Sequence, residues 1–165
     1  LNMDRQLLVS SLIDYAGRNH SATEVVATDS SGRVHRTNWT QVHSRARQVA
    51  GALKAGGIEQ GDRVPTIAWN DHRHLEVYYG ITGIGSVLHT VNPRLREQQI
   101  AWIVNHAEDQ IVFVDPDFLP IAEKIASETA SVRCWVVLTD ELPTTPLDNA
   151  VAYEEWIDAS TPIEN

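Results

Sequence analysis

Two histidines in close succession, His72 and His74, are candidate metal ligands, because neutral imidazole is a common ligand of transition metals. Helical positions two residues apart do not share a face, so a helix through this segment would point the two rings in different directions. No neighbouring set of cysteines, histidines or carboxylates completes a four-ligand site. We therefore predict no metal site at this position.

A second candidate for chemistry is the glycine pattern formed by Gly80, Gly83 and Gly85. Its order is the reverse of the dinucleotide-binding fingerprint, and the glycines close a predicted helix instead of opening one after a strand. They are better explained by close contact between a helix and a sheet. The sequence also holds no G-x-S-x-G elbow, no Walker-type loop and no carboxylate pattern that singles out an acid/base pair. We accordingly predict no catalytic residue from motifs alone.

Three further residues are candidate functional residues because they lie at or just after the end of a predicted strand. His89 lies at the end of an apolar run, beside Asn92, and Arg94 follows Pro93, which removes a donor and stops the strand. His89 is either a hydrogen-bonded structural histidine or a functional one. Cys134, in contrast, lies inside an apolar run with no base nearby, which favours a core residue over a reactive thiol.

The elements that must position these residues alternate between strand and helix along the chain. Asn38, with Gln41 three residues later, predicts a capped helix that ends at Gly56-Gly57, and Asn70 predicts the cap of another. The first helix covers residues 7–16, a hairpin covers 24–36, and later helices cover 39–55, 71–84, 96–107 and 116–126. The later strands cover residues 64–69, 86–91, 111–114 and a final one at 132–138.

Such alternation needs crossover connections, and it predicts a three-layer αβα fold with a mostly parallel sheet. Ligands of such sheets bind beyond the carboxyl ends of the strands. The segments to inspect are therefore residues 69–71, 90–94, 115–116 and 139–140. Residues 140–165, with Pro143, Pro146 and Pro162, are expected to form a loop-rich end with one short helical piece.

Composition excludes several classes of protein. The chain has 165 residues and a net charge of -9, which argues against general nucleic-acid binding. No apolar run approaches the ~20 residues of a membrane-spanning helix. One cysteine cannot form an internal disulfide, and residues 1–5 lack the pattern of a signal peptide. These features favour a cytoplasmic protein.

Several runs of residues, taken together, are specific enough to indicate a resemblance to a known family. They include Arg47-Gln48-Val49-Ala50-Gly51-Ala52-Leu53, Ala68-Trp69-Asn70, Leu88-His89-Thr90-Val91-Asn92-Pro93-Arg94-Leu95 and Asn105-His106-Ala107-Glu108-Asp109. Over residues 7–139 the chain resembles the N-terminal region of AMP-forming acyl-CoA synthetases, which belong to the adenylate-forming superfamily. It is most similar to the branch for medium- or long-chain fatty acids, which includes ligases for methylthio-propionate.

The resemblance implies a two-step reaction in which a fatty acid or other small carboxylic acid, ATP with Mg²⁺, and coenzyme A give acyl-CoA, AMP and pyrophosphate. The family's phosphate loop, of the type T-S-G-T-T-G-x-P-K, is absent from this sequence. We therefore expect residues 1–165 to be an incomplete N-terminal portion of the large domain, inactive by itself and with no cofactor bound. No catalytic residue is carried over; His89, Asn92 and Arg94 are candidates for the substrate side.

Two other interpretations stay open at this stage. The chain could be a non-catalytic interaction domain with a ligase-like α/β fold. A flavodoxin-like nucleotide domain would need a phosphate loop after the first strand, but Asp29-Ser30-Ser31-Gly32 leads into a hairpin. Open strand edges or the N-terminal helix also make a homodimer an expectation.

Overall fold

The computed structural model describes residues 7–163; the residues of the signal-peptide prediction, 1–5, lie outside this range. The helices are α1 (Ser10–Asn19), α2 (Trp39–Ala55), α3 (His72–Gly83), α4 (Glu97–His106), α5 (Leu119–Ile125) and α6 (Tyr153–Asp158). The strands are β1 (Glu24–Thr28), β2 (Val34–Asn38), β3 (Arg63–Ile67), β4 (Val87–Thr90), β5 (Ile111–Val114), β6 (Cys134–Val137) and β7 (Ala150–Ala152). None of the helices in the described range is both long and apolar enough to cross a membrane.

Five of the strands form one parallel sheet in the order β4-β3-β5-β6-β7. Apolar side chains of α2, α3 and α6 pack on one face of the sheet, and those of α4 and α5 pack on the other. All four residues of β5 are buried, as expected for a central strand that helices cover on both faces. The predicted three-layer α/β fold is confirmed.

The first two strands form a separate antiparallel hairpin, with Glu24 opposite Asn38 and Thr28 opposite Val34. Asp29 closes its turn, because Oδ1 of Asp29 accepts hydrogen bonds from the backbone amides of Ser31 (3.0 Å) and Arg33 (2.9 Å). Gly32 has a φ of 84° there, a conformation that L side chains rarely adopt. The hairpin predicted from this turn is confirmed, and it lies outside the main sheet.

Side chains cap the N-termini of α2 and α3, but two details differ from the prediction. Asn38 caps α2 as predicted, since its Oδ1 accepts from the amide of Gln41 at 2.9 Å. The expected capping box is wrong, because the Gln41 side chain instead accepts a hydrogen bond from the Thr37 hydroxyl at 2.8 Å. The cap of α3 is Asp71, whose Oδ1 accepts from the amide of His74 at 2.9 Å, and not Asn70.

The C-terminal part of the chain contains one more strand than the sequence predicts. The strand at 134–137 was expected to be the last, but β7 adds to the sheet beside it in parallel, and α6 follows directly. Three residues with no flanking periodicity are too short for a pattern to be visible. The expected short helical piece near residue 153 is α6, and a loop does occupy residues 138–149.

Gly80 allows a close approach between two helices. A Cβ built on Gly80 would lie 2.5 Å from Cγ1 of Val49 and 3.0 Å from the carbonyl oxygen of Ala46, both on α2. The predicted role in close packing is therefore correct in kind, but the neighbour is a helix and not the sheet. Gly85 differs again, since its φ of 76° serves the turn that leads into β4.

Replacing Gly80 with alanine is expected to lower the free energy of unfolding by about 1–3 kcal/mol, because α2 has no space for the added methyl group. The matched control is Gly83→Ala in the same helix, where an added Cβ meets no atom within 4 Å. This control should be neutral, or stabilising by up to about 1 kcal/mol. Urea unfolding of the two variants measures the difference; equal stability of both would contradict the close contact.

Candidate functional site

The carboxyl ends of the five parallel strands meet at one edge of the sheet. Two side-chain contacts lie at or next to the predicted segments there. Trp69, after β3, donates its indole N–H to Oδ2 of Asp117, after β5, at 2.9 Å. Arg73, at the start of α3, donates to the carboxylate of Asp140, after β6. Asp71, Asp115, Pro116 and Thr139 also line one small cleft, so the structure brings together three of the four segments that the sequence singles out.

Behind this edge lies a buried carboxylate, Glu76, whose side chain is 1% exposed. Its Oε1 accepts a hydrogen bond from Nε of Arg45 on α2 at 2.8 Å, and its Oε2 accepts one from the hydroxyl of Tyr153 on α6 at 2.7 Å. Burial raises the pKa of Glu76, although Arg45 favours the charged form. Both oxygens are satisfied, so three helices are joined at one point.

Glu154 extends this cluster toward the sheet edge. Nη2 of Arg45 donates to both carboxylate oxygens of Glu154, at 3.0 and 2.9 Å, and Nε of Arg73 donates to Oε1 at 2.9 Å. Together with the contact between Arg73 and Asp140, these bonds form a continuous chain of charges across α2, α3 and α6, which we call the ion network (Arg45, Arg73, Glu76, Asp140, Tyr153, Glu154).

The paired groups of the ion network are suited to a structural role and not to catalysis. Each arginine in it is held by two carboxylates, and burial raises the pKa of the Tyr153 hydroxyl well above its ordinary value. A neutral tyrosine that already donates to Glu76 is not available as a nucleophile. Sequence reasoning missed these residues, although Glu76 shares one helix face with the buried Gly80, four positions later, which could have identified it.

The two histidines of the first motif have separate roles. The ring of His72 stacks on His35 of β2, with centroids 3.6 Å apart and planes 9° apart. Nε2 of His74 instead lies 3.0 Å from Oγ1 of Thr66 on β3. Within residues 7–163, no group of three or more histidines, cysteines or acidic residues is placed to hold a metal ion.

The pKa of each histidine in the stack is lowered from its ordinary value. Burial lowers the pKa of His72 to about 4, and His35 contributes in the same direction. Burial also lowers the pKa of His35, with further contributions from Arg73, Arg45 and Arg33. Both rings are therefore neutral at pH 7, and their contact fixes the hairpin against the start of α3.

The three candidates for the substrate side make separate contacts. Nε2 of His89 lies 3.0 Å from Oδ2 of the fully buried Asp109, which precedes β5, so its partner comes from the amino-terminal side of the sheet. Asn92 and Arg94 are exposed just beyond the carboxyl end of β4, where Oδ1 of Asn92 accepts from the amide of Arg94 at 2.9 Å.

Two clefts flank the hairpin. The first, of about 670 Å³, lies between β1, α3 and β4 and is mostly apolar; we call it the apolar cleft (Val25, Val26, Ala27, Thr28, Asn70, Asp71, His72, His74, Leu75, Tyr78, Leu88, Thr90). The second, of about 650 Å³, lies between β2, α2 and the ion network and is mostly polar. His72 borders both clefts, so the histidine stack separates them.

Comparison with known proteins gives consistent matches. The family model described as "AMP-binding enzyme" matches residues 14–164. The chain is 43% identical over 157 residues to a medium-chain-fatty-acid–CoA ligase of Ectopseudomonas oleovorans, covering 94% of this chain and 29% of the relative. It is 44% identical over 136 residues to a 3-methylmercaptopropionyl-CoA ligase of Ruegeria lacuscaerulensis, covering 82% of this chain and 25% of the relative. The chain thus spans less than a third of the length of these curated relatives.

Solved structures give the same fold at lower sequence identity. An anthranilate CoA ligase in complex with anthranoyl-AMP superposes with a TM-score of 0.79 and 22% identity, covering 96% of this chain and 29% of that one. The N-terminal domain of FACL13 from Mycobacterium tuberculosis superposes with a TM-score of 0.78 and 19% identity, covering 96% and 37%. The sheet and its flanking helices are therefore an arrangement shared with these proteins.

Replacing Glu76 with glutamine should lower the free energy of unfolding by about 2 kcal/mol, because it leaves the charge of Arg45 only partly compensated in a buried setting. Glu97→Gln is the matched control, since Glu97 pairs with Lys124 at 2.6 Å on the surface. That change should cost less than about 1 kcal/mol. Chemical denaturation compares the two; similar losses would contradict a special role of the ion network.

The histidine stack predicts a loss of stability in mild acid. An unfolded histidine binds a proton below pH ~6.5, whereas folded His72 does so only below about 4, so the unfolded state binds more protons between these values. Between pH 7 and 5 this effect should remove on the order of 1–2 kcal/mol of stability. His72→Phe should lose that part of the pH dependence, while His106→Phe, at the exposed end of α4, should keep it. Identical pH profiles of the two variants would refute the assignment.

Proposed function

The chain belongs to the AMP-binding enzyme family, and from this membership we propose that it forms the first part of the large domain of an AMP-forming fatty-acid–CoA ligase. The observation that carries the proposal is the extent of the match. Relatives at 41–44% identity, which align with 82–94% of this chain, are named as ligases of medium-chain fatty acids, long-chain fatty acids or 3-methylmercaptopropionate.

The proposed reaction has two steps. The carboxylate of the acid attacks the α-phosphorus of ATP and displaces pyrophosphate, which leaves an acyl-adenylate. The thiol of coenzyme A, after loss of its proton, attacks the acyl carbon and displaces AMP, which gives the thioester. The mixed anhydride makes this second step possible because AMP is a far better leaving group than the oxygen of a free carboxylate.

In this proposal residues 7–163 support the reaction without performing it. The ion network and the histidine stack are internally satisfied and hold the loops beyond the carboxyl ends of the strands. We assign none of the described residues to the Mg²⁺ that the family implies, because no group of three or more described histidines, cysteines or acidic residues is placed to hold a metal ion.

The loop after β4 is our candidate for the substrate side. Asn92 and Arg94 are exposed beyond a strand end, where ligands of parallel α/β sheets bind. The guanidinium of Arg94 suits the phosphates or the carboxylate of the substrates. His89 is held by its contact with the buried Asp109, and we propose that it supports the strand that leads to this loop.

Two wider expectations belong to the same proposal. A cytoplasmic location agrees with a chain whose one cysteine, Cys134, excludes an internal disulfide. A homodimer is supported by apolar side chains exposed on α1, among them Leu12 at 63% and Tyr15 at 60%. With a net charge of -9, nucleic acid is not among the proposed partners.

The test is an assay of the protein expressed from the complete reading frame that encodes this chain. With ATP, Mg²⁺, coenzyme A and straight-chain fatty acids or 3-methylmercaptopropionate, we expect AMP and pyrophosphate to form only when the acid is present. The 165-residue chain alone should release no pyrophosphate. Formation of ADP, or no dependence on any acid, would overturn the proposed activity.

A variant of the protein from the complete reading frame tests the substrate-side assignment of Arg94. Arg94→Ala should lower kcat/KM by at least about tenfold, because a charge-assisted contact with an anionic substrate is lost. Arg18→Ala, an exposed arginine in the last turn of α1, is the control and should leave kcat/KM unchanged. Equal activity of the two variants would remove Arg94 from the site.

A further inference from the structure

We propose that the exposed ring of Trp69 binds the adenine ring of a substrate by stacking on it at the carboxyl edge of the sheet. The inference deepens the proposed function and rests on it, because ATP and coenzyme A both carry adenine. The shared chemistry is a flat, uncharged purine base.

The first argument is the place of Trp69 in the fold. Trp69 follows β3, which lies between β4 and β5 in the sheet. Thr66 of β3 pairs with a residue of each of these strands, so Trp69 leaves the sheet between the loop of Arg94 and the loop of Asp117. Ligands of parallel α/β sheets bind at this edge. Trp69 therefore lies in the middle of three neighbouring loops at the edge where a substrate is expected.

The second argument is the way the ring of Trp69 is held. Its indole N–H donates to Oδ2 of Asp117 at 2.9 Å, and the ring contacts that of Phe118 with centroids 4.8 Å and planes 50° apart. The one donor of the indole is thus satisfied, and two neighbours fix the orientation of the ring. Trp69 is nevertheless 40% exposed, so what it offers to a ligand is ring surface. A ring that is fixed before a ligand arrives loses little entropy on binding.

The third argument is that the surroundings of Trp69 favour a base over other parts of the substrates. Asp71, whose amide donates to the carbonyl oxygen of Trp69 at 3.1 Å, and Asp117 place two acidic residues next to it. Carboxylates repel a phosphate group, whereas adenine carries no charge at neutral pH. An acyl chain suits a concave apolar pocket, and Trp69 lines neither of the two clefts beside the hairpin. An open, flat ring suits a base, since every base has a face that can stack.

The first test is a pair of variants of the complete protein that differ in the aromatic ring. Trp69→Leu keeps apolar bulk without a ring, and it should raise the KM for an adenine-containing substrate at least about fivefold, because the stacking contact is lost. Trp69→Phe keeps a ring but loses the indole N–H, and its KM should stay within about twofold of the wild type. Equal KM values for the two variants would overturn the proposal, because the bond to Asp117 is lost in both. A rise confined to the KM for the acid would also overturn it.

Trp102→Leu is the matched control. Trp102 is 63% exposed and also contacts an aromatic neighbour, His106, but it lies on α4 and not at the strand ends. This variant should leave the KM values for ATP and coenzyme A unchanged. A rise equal to that of Trp69→Leu would show that the loss of any exposed tryptophan disturbs the enzyme, and it would overturn the assignment.

Two partial reactions of the complete protein distinguish the sources of adenine. Acid-dependent exchange of pyrophosphate into ATP needs no coenzyme A, so a raised KM in this exchange identifies ATP as the ligand of Trp69. A defect confined to thioester formation identifies coenzyme A, and it should disappear with pantetheine, which has the thiol but no adenine. A defect of Trp69→Leu that persists with pantetheine and is absent from the exchange would overturn the proposal.

Direct binding separates this inference from the proposed function. Calorimetric titration of ATP and of coenzyme A into the wild type and into Trp69→Leu measures each Kd without turnover. An active ligase whose Kd and KM values are unchanged by Trp69→Leu would refute only the role of Trp69. A Kd for either nucleotide that Trp69→Leu raises, in a protein without acid-dependent AMP formation, would refute only the ligase activity.

Discussion

The buried carboxylate of Glu76 is the constraint on which the helical layer depends. A carboxylate that is 1% exposed is stable inside a protein only if donors occupy both of its oxygens, and these donors come from Arg45 on α2 and Tyr153 on α6. Three helices distant in sequence must therefore meet in one arrangement. The close contact at Gly80 brings α3 near enough to α2 for this to occur.

The same arrangement explains how the charged cluster holds the carboxyl edge of the sheet. Glu154 begins the last helix and receives hydrogen bonds from Arg45 and Arg73, and Arg73 also binds Asp140 after β6. Charges that compensate each other in this way fix the loops in place. Each arginine of the cluster is held by two carboxylates, which suits the supporting role proposed for this part of the chain.

The hairpin of β1 and β2 is attached to this layer by a ring stack and by an ion pair. The neutral imidazoles of His35 and His72 stack, with a cleft on either side, and Arg33 pairs with Asp140 of the ion network at 3.6 Å. Neutral stacked rings contribute little binding energy compared with the buried network. The half-exposed valines of the hairpin therefore distinguish it from the closed core of the main sheet.

Local signals in the sequence determined much of this protein. The alternation of strands and helices, the cap at Asn38 and the turn at Asp29 each follow from a few neighbouring residues. The resemblance to a family follows from several short runs of residues. Only the tertiary structure decided what lies between distant segments. Arg45, Glu76 and Tyr153 are separated by 31 and 77 positions, and neither the His35–His72 stack nor the pairing of the three-residue β7 leaves a periodic trace. The physical reason is that caps and turns are satisfied by neighbouring atoms, whereas a buried charge or a short strand is stable only through partners that the folded chain brings to it.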